Sequence, residues 1–124
     1  MTNILKKEYK YAVIGASKNE NKYGYKIIKS LKERDIFVVP VNPKENEILE
    51  IKCFKNVEEI NYDINILIFV TQPEISEKIV RNLKKTYKIL WFQPGSENLE
   101  IENFCTKNKI NFITNQCVLI SSIN

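Results

Sequence analysis

Short runs of β-branched and aromatic residues alternate along this chain with stretches whose apolar positions recur at helical spacing. Tyr11, Ala12, Val13 and Ile14 form the first run, which stops at Gly15. A loop then leads to a predicted helix over 24–34, with Ile27, Ile28 and Leu31 on one face. A second strand is expected over 36–41, and its Pro40 calls for an edge position because proline cannot donate to a ladder. A short extended piece over 51–54 and a helical turn over 57–60 follow. The stretch 64–70 is almost wholly apolar, as a strand covered on both faces should be. Pro73 suits the first turn of a helix that carries Ile75, Ile79, Val80 and Leu83. Another strand is predicted over 89–92. Ser96 is the expected cap of a helix bearing Leu99, Ile101, Phe104 and Cys105. Residues 111–114 close the pattern, with an apolar tail over 118–120.

Strand and helix alternating at this spacing predict one α/β domain of Rossmann-like, three-layer form. The sheet should be mostly parallel, five- to six-stranded, with helices on both faces. A lead-in over 1–9 would precede a core over 10–120. At 124 residues the chain fits one domain and needs no metal or disulfide to hold its core. Hydrophobic residues at 44% and charged residues at 27% are ordinary globular composition. No apolar run approaches the ~18 residues needed to span a bilayer, and residues 1–10 lack the apolar stretch of a secretory signal. Cys53, Cys105 and Cys117 are odd in number and widely spaced, so reduced thiols in a cytoplasmic protein are expected. The net charge of +4 comes from lysines scattered through the sequence. No basic arm or basic helix-turn-helix marks a nucleic-acid partner or a transcriptional regulator. No membrane partner is expected either, and the apolar residues over 118–123 leave room for a homodimer.

The sequence contains no histidine. That absence removes Ser-His-Asp and Cys-His catalysis and most zinc sites. No other nucleophile–base pair or metal cluster is recognisable, so no catalytic residue or metal ligand is nominated, and a non-catalytic role is favoured.

A parallel sheet binds ligands outside the carboxyl ends of its strands, near the point where strand order reverses. The strands deliver Gly15, Ala16, Ser17 and Lys18 to that edge, then Asn42, Pro43 and Lys44. Thr71, Gln72 and Pro73 come next, then Gln93, Pro94, Gly95 and Ser96, and last Asn115, Gln116 and Cys117. A dinucleotide fingerprint would want glycine at 15, 17 and 20, where this chain has Gly15, Ser17 and Glu20. Gly15 still permits a sharp turn, and the amides of a following helix attract phosphate, aided by Ser17, Lys18 and Lys22. An NAD domain usually ends its second strand with Asp or Glu. Lys44 at that place favours a ribose phosphate, carried by both NADP and coenzyme A.

Gly15-Ala16-Ser17, Pro40-Val41-Asn42-Pro43 and Trp91-Phe92-Gln93-Pro94-Gly95, in this order, resemble the small bacterial CoA-binding domain proteins. Those proteins are similar to the nucleotide-binding domain of the succinyl-CoA synthetase alpha subunit. The resemblance runs over about 4–120, to the closing Asn115-Gln116-Cys117. It implies that coenzyme A or an acyl-CoA lies along the strand ends, with Gly15, Ala16 and Ser17 beside its phosphates. Lys22 would replace an arginine common in that loop. Asn42, Pro43 and Lys44 would meet the adenosine, Thr71, Gln72 and Pro73 would flank the ligand, and Gln93, Pro94 and Gly95 would line the far wall. Thr71 and Gln116 stand where many relatives carry basic residues, so fewer fixed cations face the ligand. Cys117 would lie near the CoA thiol, although an unactivated thiol is more often inert packing. The resemblance implies a binding module, a sensor or carrier. An NADP-dependent reductase, or the nucleotide-binding subunit of a larger acyl-CoA enzyme, is the alternative.

Overall fold

The computed structural model describes residues 5–123; the first four positions of the predicted lead-in lie outside them. Five parallel strands form the sheet: β1 (Tyr11–Ile14), β2 (Val38–Val41), β5 (Ile66–Phe69), β6 (Ile89–Phe92) and β7 (Phe112–Ile113). Their order is β2-β1-β5-β6-β7. Strands β3 (Glu47–Ile48) and β4 (Ile51–Lys52) make a separate antiparallel hairpin, of which only β4 falls in the predicted extended piece over 51–54. Helices α1 (Tyr23–Glu33), α2 (Pro73–Arg81) and α3 (Leu99–Lys107) connect the strands.

The sequence is apolar on both faces of each central strand because helices cover both. Tyr11, Val13, Ile66, Ile68 and Trp91 pack against Ile27, Ile28 and Leu31 of α1 and against Val118. Their neighbours Ala12, Ile14, Leu67, Phe69, Leu90 and Phe92 pack on the opposite side with Val80 of α2 and Ile101 and Cys105 of α3. Pro40 sits on the outermost strand of the sheet, as required. Its carbonyl points away from β1 and accepts the Phe54 amide at 3.0 Å, so its missing N–H faces outward as well. Asp35 turns the chain into β2 at φ 58, a conformation that aspartate tolerates.

Three local expectations need correction. Ser96 does not cap α3; its hydroxyl donates to the Gln93 carbonyl at 2.7 Å, while Asn98 Oδ1 accepts the Ile101 amide at 2.9 Å. Leu99 and Ile75 do not join the core but stand 67% and 51% exposed. The tail is no free apolar stripe. Val118 is buried, Ile123 bridges to Leu5, and Arg34 binds the Ser121 and Val118 carbonyls at 2.6 and 3.2 Å. Of its apolar residues Ile120 is the most exposed, followed by Ile123.

The chain leaves β1 to reach β2 on one side and returns to β5 on the other. The strand order therefore reverses between β1 and β5, and the loops after these two strands frame the crevice.

Candidate functional site

Gly15 ends β1 at φ 93, a conformation that L side chains rarely adopt. A Cβ there would also lie 3.0 Å from Thr71 Cγ2, so β5's loop closes directly over the turn. Gly24 answers a different need: a Cβ on it would overlap the Gly15 carbonyl oxygen. Without side chains at both positions, the first turn of α1 rests against the loop after β1.

The amides of Gly15 and Ala16 both donate to the Val41 carbonyl, at 3.1 and 3.3 Å. They hold the loop's shape and are not available to a ligand, which corrects the simplest reading of the Gly15-Ala16-Ser17 turn. The Ser17 hydroxyl accepts the Asn19 amide at 3.0 Å, which fixes its oxygen and leaves its O–H able to donate. What stays open lies a little further on. Lys22 stands at the cap of α1 in extended conformation, its side chain makes no capping bond, and the first turn holds no acid. Among the described residues, the amides of Ser17, Lys18, Tyr23 and Gly24 have no partner. Helix first turns aim such amides outward along the axis, where they favour anions.

At the end of β2, Asn42 works as a strut. Its Nδ2 donates to the Ala16 carbonyl at 2.7 Å, and its Oδ1 accepts the Lys44 amide at 2.8 Å. Lys44 is exposed and lies outside the crevice walls, as do Lys18 and Lys22. Lys18 faces Glu45 at 3.7 Å, across solvent.

Two cavities flank Thr71, which lines both. The larger, about 610 Å³, has walls from Ile14, Val41, Val57, Ile75, Ile79 and Leu83, with Lys55 and Lys84 also facing it. Gly15, Asn42 and Pro43 contribute to it as well. The smaller, about 240 Å³, is bounded by Tyr23, Gln72, Gln93, Gly95 and Cys117, with Pro94 beside them. Gln93 is buried, and its amide is spent on structure: Oε1 accepts the Val118 amide at 2.7 Å and Nε2 donates to Cys117 Sγ at 3.4 Å. It thereby fixes the Cys117 thiol on the cavity wall. Thr71 itself is held by a 2.7 Å hydroxyl–hydroxyl bond to the fully buried Ser76.

The other two thiols are packing groups. Burial raises Cys105 from 9.0 to about 11, helped by the nearby Glu102. Burial also raises Cys53, partly offset by its bond to the Asn42 carbonyl. Neither is a nucleophile near neutrality. Among the described residues, no group of three or more His, Cys, Asp or Glu side chains could hold a metal ion.

The structure thus brings Gly15, Asn42, Pro43, Thr71, Gln72, Gln93, Pro94, Gly95 and Cys117 to two adjoining cavities. It also adds residues that the sequence reading missed. Ile75 and Ile79 form a stripe on α2 beside the buried Ser76 and Val80, and Leu83 continues it just past the helix end. An apolar stripe wider than one buried face was the available signal. Lys55 and Val57 arrive from the segment after the β3–β4 hairpin, and nothing local announced them.

An apolar cavity fits a flat heteroaromatic ring, the open amides fit phosphates, and both volumes lie near or within the usual range for small-molecule sites.

Known proteins place the chain in a family. Residues 9–122 match the model of a family described as "CoA binding domain". The acetate–CoA ligase (ADP-forming) of Methanocaldococcus jannaschii is 40% identical over 74 residues, which is 60% of this chain and 10% of that protein. The chain therefore matches about a tenth of the ligase's length. Uncharacterized protein YneT of Bacillus subtilis is 23% identical over 119 residues, covering 95% of this chain and 88% of that one. A conserved hypothetical protein from Pyrococcus furiosus superposes with a TM-score of 0.85 at 34% identity, covering 92% of this chain and 99% of its own. No helix among the described residues is long and apolar enough to cross a membrane. With the family model spanning nearly all of its length, this chain is a member of the CoA binding domain family.

Proposed function

We propose that the protein binds coenzyme A or an acyl-CoA along the carboxyl edge of its sheet and holds it without transforming it, as a sensor or carrier. The observation that carries this reading is the pair of cavities sharing Thr71, with the open start of α1 beside the Gly15 turn. The adenine would enter the larger cavity, against Val57, Ile75 and Ile79. The pyrophosphate would take the unbonded amides of Ser17, Lys18 and the first turn of α1, with Lys18 and Lys22 screening its charge. Lys55 and Lys84 line the larger cavity, and the exposed Lys44 follows Pro43 of its wall. The pantetheine arm would pass Thr71 into the smaller cavity, whose Gln72, Gly95 and Cys117 suit an amide-bearing chain ending in sulfur. The bound group supplies a thiol or thioester. This chain's residues bind it, orient it and leave its far end at a wall that carries no histidine.

A second reading is favoured by the ADP-forming acetate–CoA ligase, where the matching region is a small part of the protein. In that reading the chain is the nucleotide-binding portion of a larger acyl-CoA enzyme. Calorimetric titration with CoA, dephospho-CoA, NADP and NAD tests the first reading. CoA should bind most tightly, dephospho-CoA about tenfold more weakly for loss of one charged contact, and NAD weakest. NADP binding as tightly as CoA would contradict it.

A further inference from the structure

A third cavity lies at the opposite edge of the sheet, where α2 and α3 end and β6 and β7 begin. It measures about 640 Å³. Val80, Leu90, Phe104 and Ile110 give it an apolar floor, and Tyr87 stands half-buried beside them. Arg81, Lys84, Lys85, Lys88 and Lys109 surround that floor, and no carboxylate lines the cavity. Those five cations exceed the net charge of +4 carried by the whole chain. Four of the five fall within residues 81–88, and the fold brings Lys109 to join them.

Lysines at helix carboxyl ends often serve the helices themselves, by capping carbonyls and meeting the dipole. Here that task is done by other residues. Asn82 Nδ2 donates to the Lys78 carbonyl at 2.7 Å, and Asn108 Nδ2 donates to the Phe104 carbonyl at 2.8 Å. Arg81 is tied to Glu77 at 2.9 Å and lies 4.9 Å from the Phe104 ring centre. Lys88 lies over the Tyr9 ring. Lys84, Lys85 and Lys109 have no ion-pair partner among the described residues. Unpaired cations held close together repel one another, and an anion between them relieves that repulsion.

We infer that this cavity is a second ligand site, for a small organic phosphate of several charges whose apolar or aromatic body rests on the floor while its phosphates meet the lysines. Concavity and volume decide for a small molecule over a nucleic-acid strand, which would need an extended track of cations. The site is separate from the proposed CoA crevice, but Leu83 and Lys84 line both cavities. Occupancy at one edge would thus press on the wall of the other.

Calorimetry with ATP, inorganic triphosphate and a single-stranded RNA oligomer tests this, using the full chain and the double variant Lys85→Glu, Lys109→Glu. Both positions are exposed and lie outside the CoA crevice, so the fold and CoA affinity should hold. ATP should bind saturably, inorganic triphosphate more weakly, and the variant should lose about tenfold in ATP affinity with CoA affinity unchanged. ATP binding that competes with CoA and ignores the variant would place ATP in the other crevice and overturn the inference. RNA binding more tightly than ATP would do so as well, as would absence of ATP binding. Failure of CoA to bind while ATP behaves as expected would overturn only the CoA reading.

Discussion

Helices α1 and α3 both begin at the carboxyl edge of the sheet, yet their first turns are built in opposite ways. At α3, Asn98 caps the Ile101 amide, and Glu100 and Glu102 place negative charge in the first turn. The positive end of that helix is neutralised from within. At α1 the cap residue is Lys22, its side chain gives no capping bond, and no acid follows. Gly24 removes even a methyl group, so the turn presses onto the Gly15 loop. A side-chain cap is worth about 1 kcal/mol, and α1 forgoes it. Helix starts left uncapped beside a glycine turn are suited to an external anion, and this contrast is what the ligand reading rests on.

The contrast can be broken at several points. Gly24→Val should have the largest effect, since its side chain would meet backbone and not a movable side chain. We expect a stability loss of about 3 kcal/mol in denaturant unfolding. Some folded protein should remain, with CoA affinity reduced about a hundredfold by calorimetry. Ile79→Asp should come next. A carboxylate in the wall of the 610 Å³ cavity would meet both an apolar ring and the nearby phosphates. CoA affinity should fall more than about tenfold, with a smaller loss of stability than Gly24→Val because Ile79 is half-buried at the border of the core.

Lys22→Asp should move stability and affinity in opposite directions. The extended backbone at Lys22, φ −96 and ψ 149, already suits a capping side chain. Closing α1 as α3 is closed should raise stability by about 0.5–1 kcal/mol while weakening CoA binding about tenfold. Unchanged affinity with raised stability would show that no phosphate uses these amides. Asn98→Ala is the smallest change and the control. It should cost about 1 kcal/mol of stability and leave CoA affinity unaltered.

Much of this architecture was legible in the sequence, for identifiable reasons. The run Ile89, Leu90, Trp91, Phe92 became β6 without adjustment, since a buried parallel strand is apolar throughout. Pro73 opened α2 where a proline can begin a helix. The cap of α3 was misassigned because Ser96 and Asn98 are both good capping residues, and only the backbone path after Gly95 chooses between them. At the site, the loop after each strand was legible because a parallel sheet delivers every strand end to one edge. The roles inside those loops were less so. Asn42 and Gln93 look like ligand contacts in sequence, but their amide groups are spent holding Ala16, Val118 and Cys117 in place. Lys55 and Val57 reach the larger cavity through a hairpin whose docking is a tertiary event. The basic groove needed the fold too, since Lys109 joins Lys84 and Lys85 only when α3 and β7 pack beside the end of α2.

On the proposed reading, CoA engages the open start of α1 and leaves the closed start of α3 alone. Amide and methyl chemical-shift mapping by NMR during a CoA titration tests it most directly. Saturable shifts at the Ser17, Lys18, Tyr23 and Gly24 amides and at the Ile79 methyl groups, with Ile101 and Glu102 unmoved, are the expected result. Shifts confined to α3 or to the basic groove, with the Gly15–α1 amides still, would contradict it.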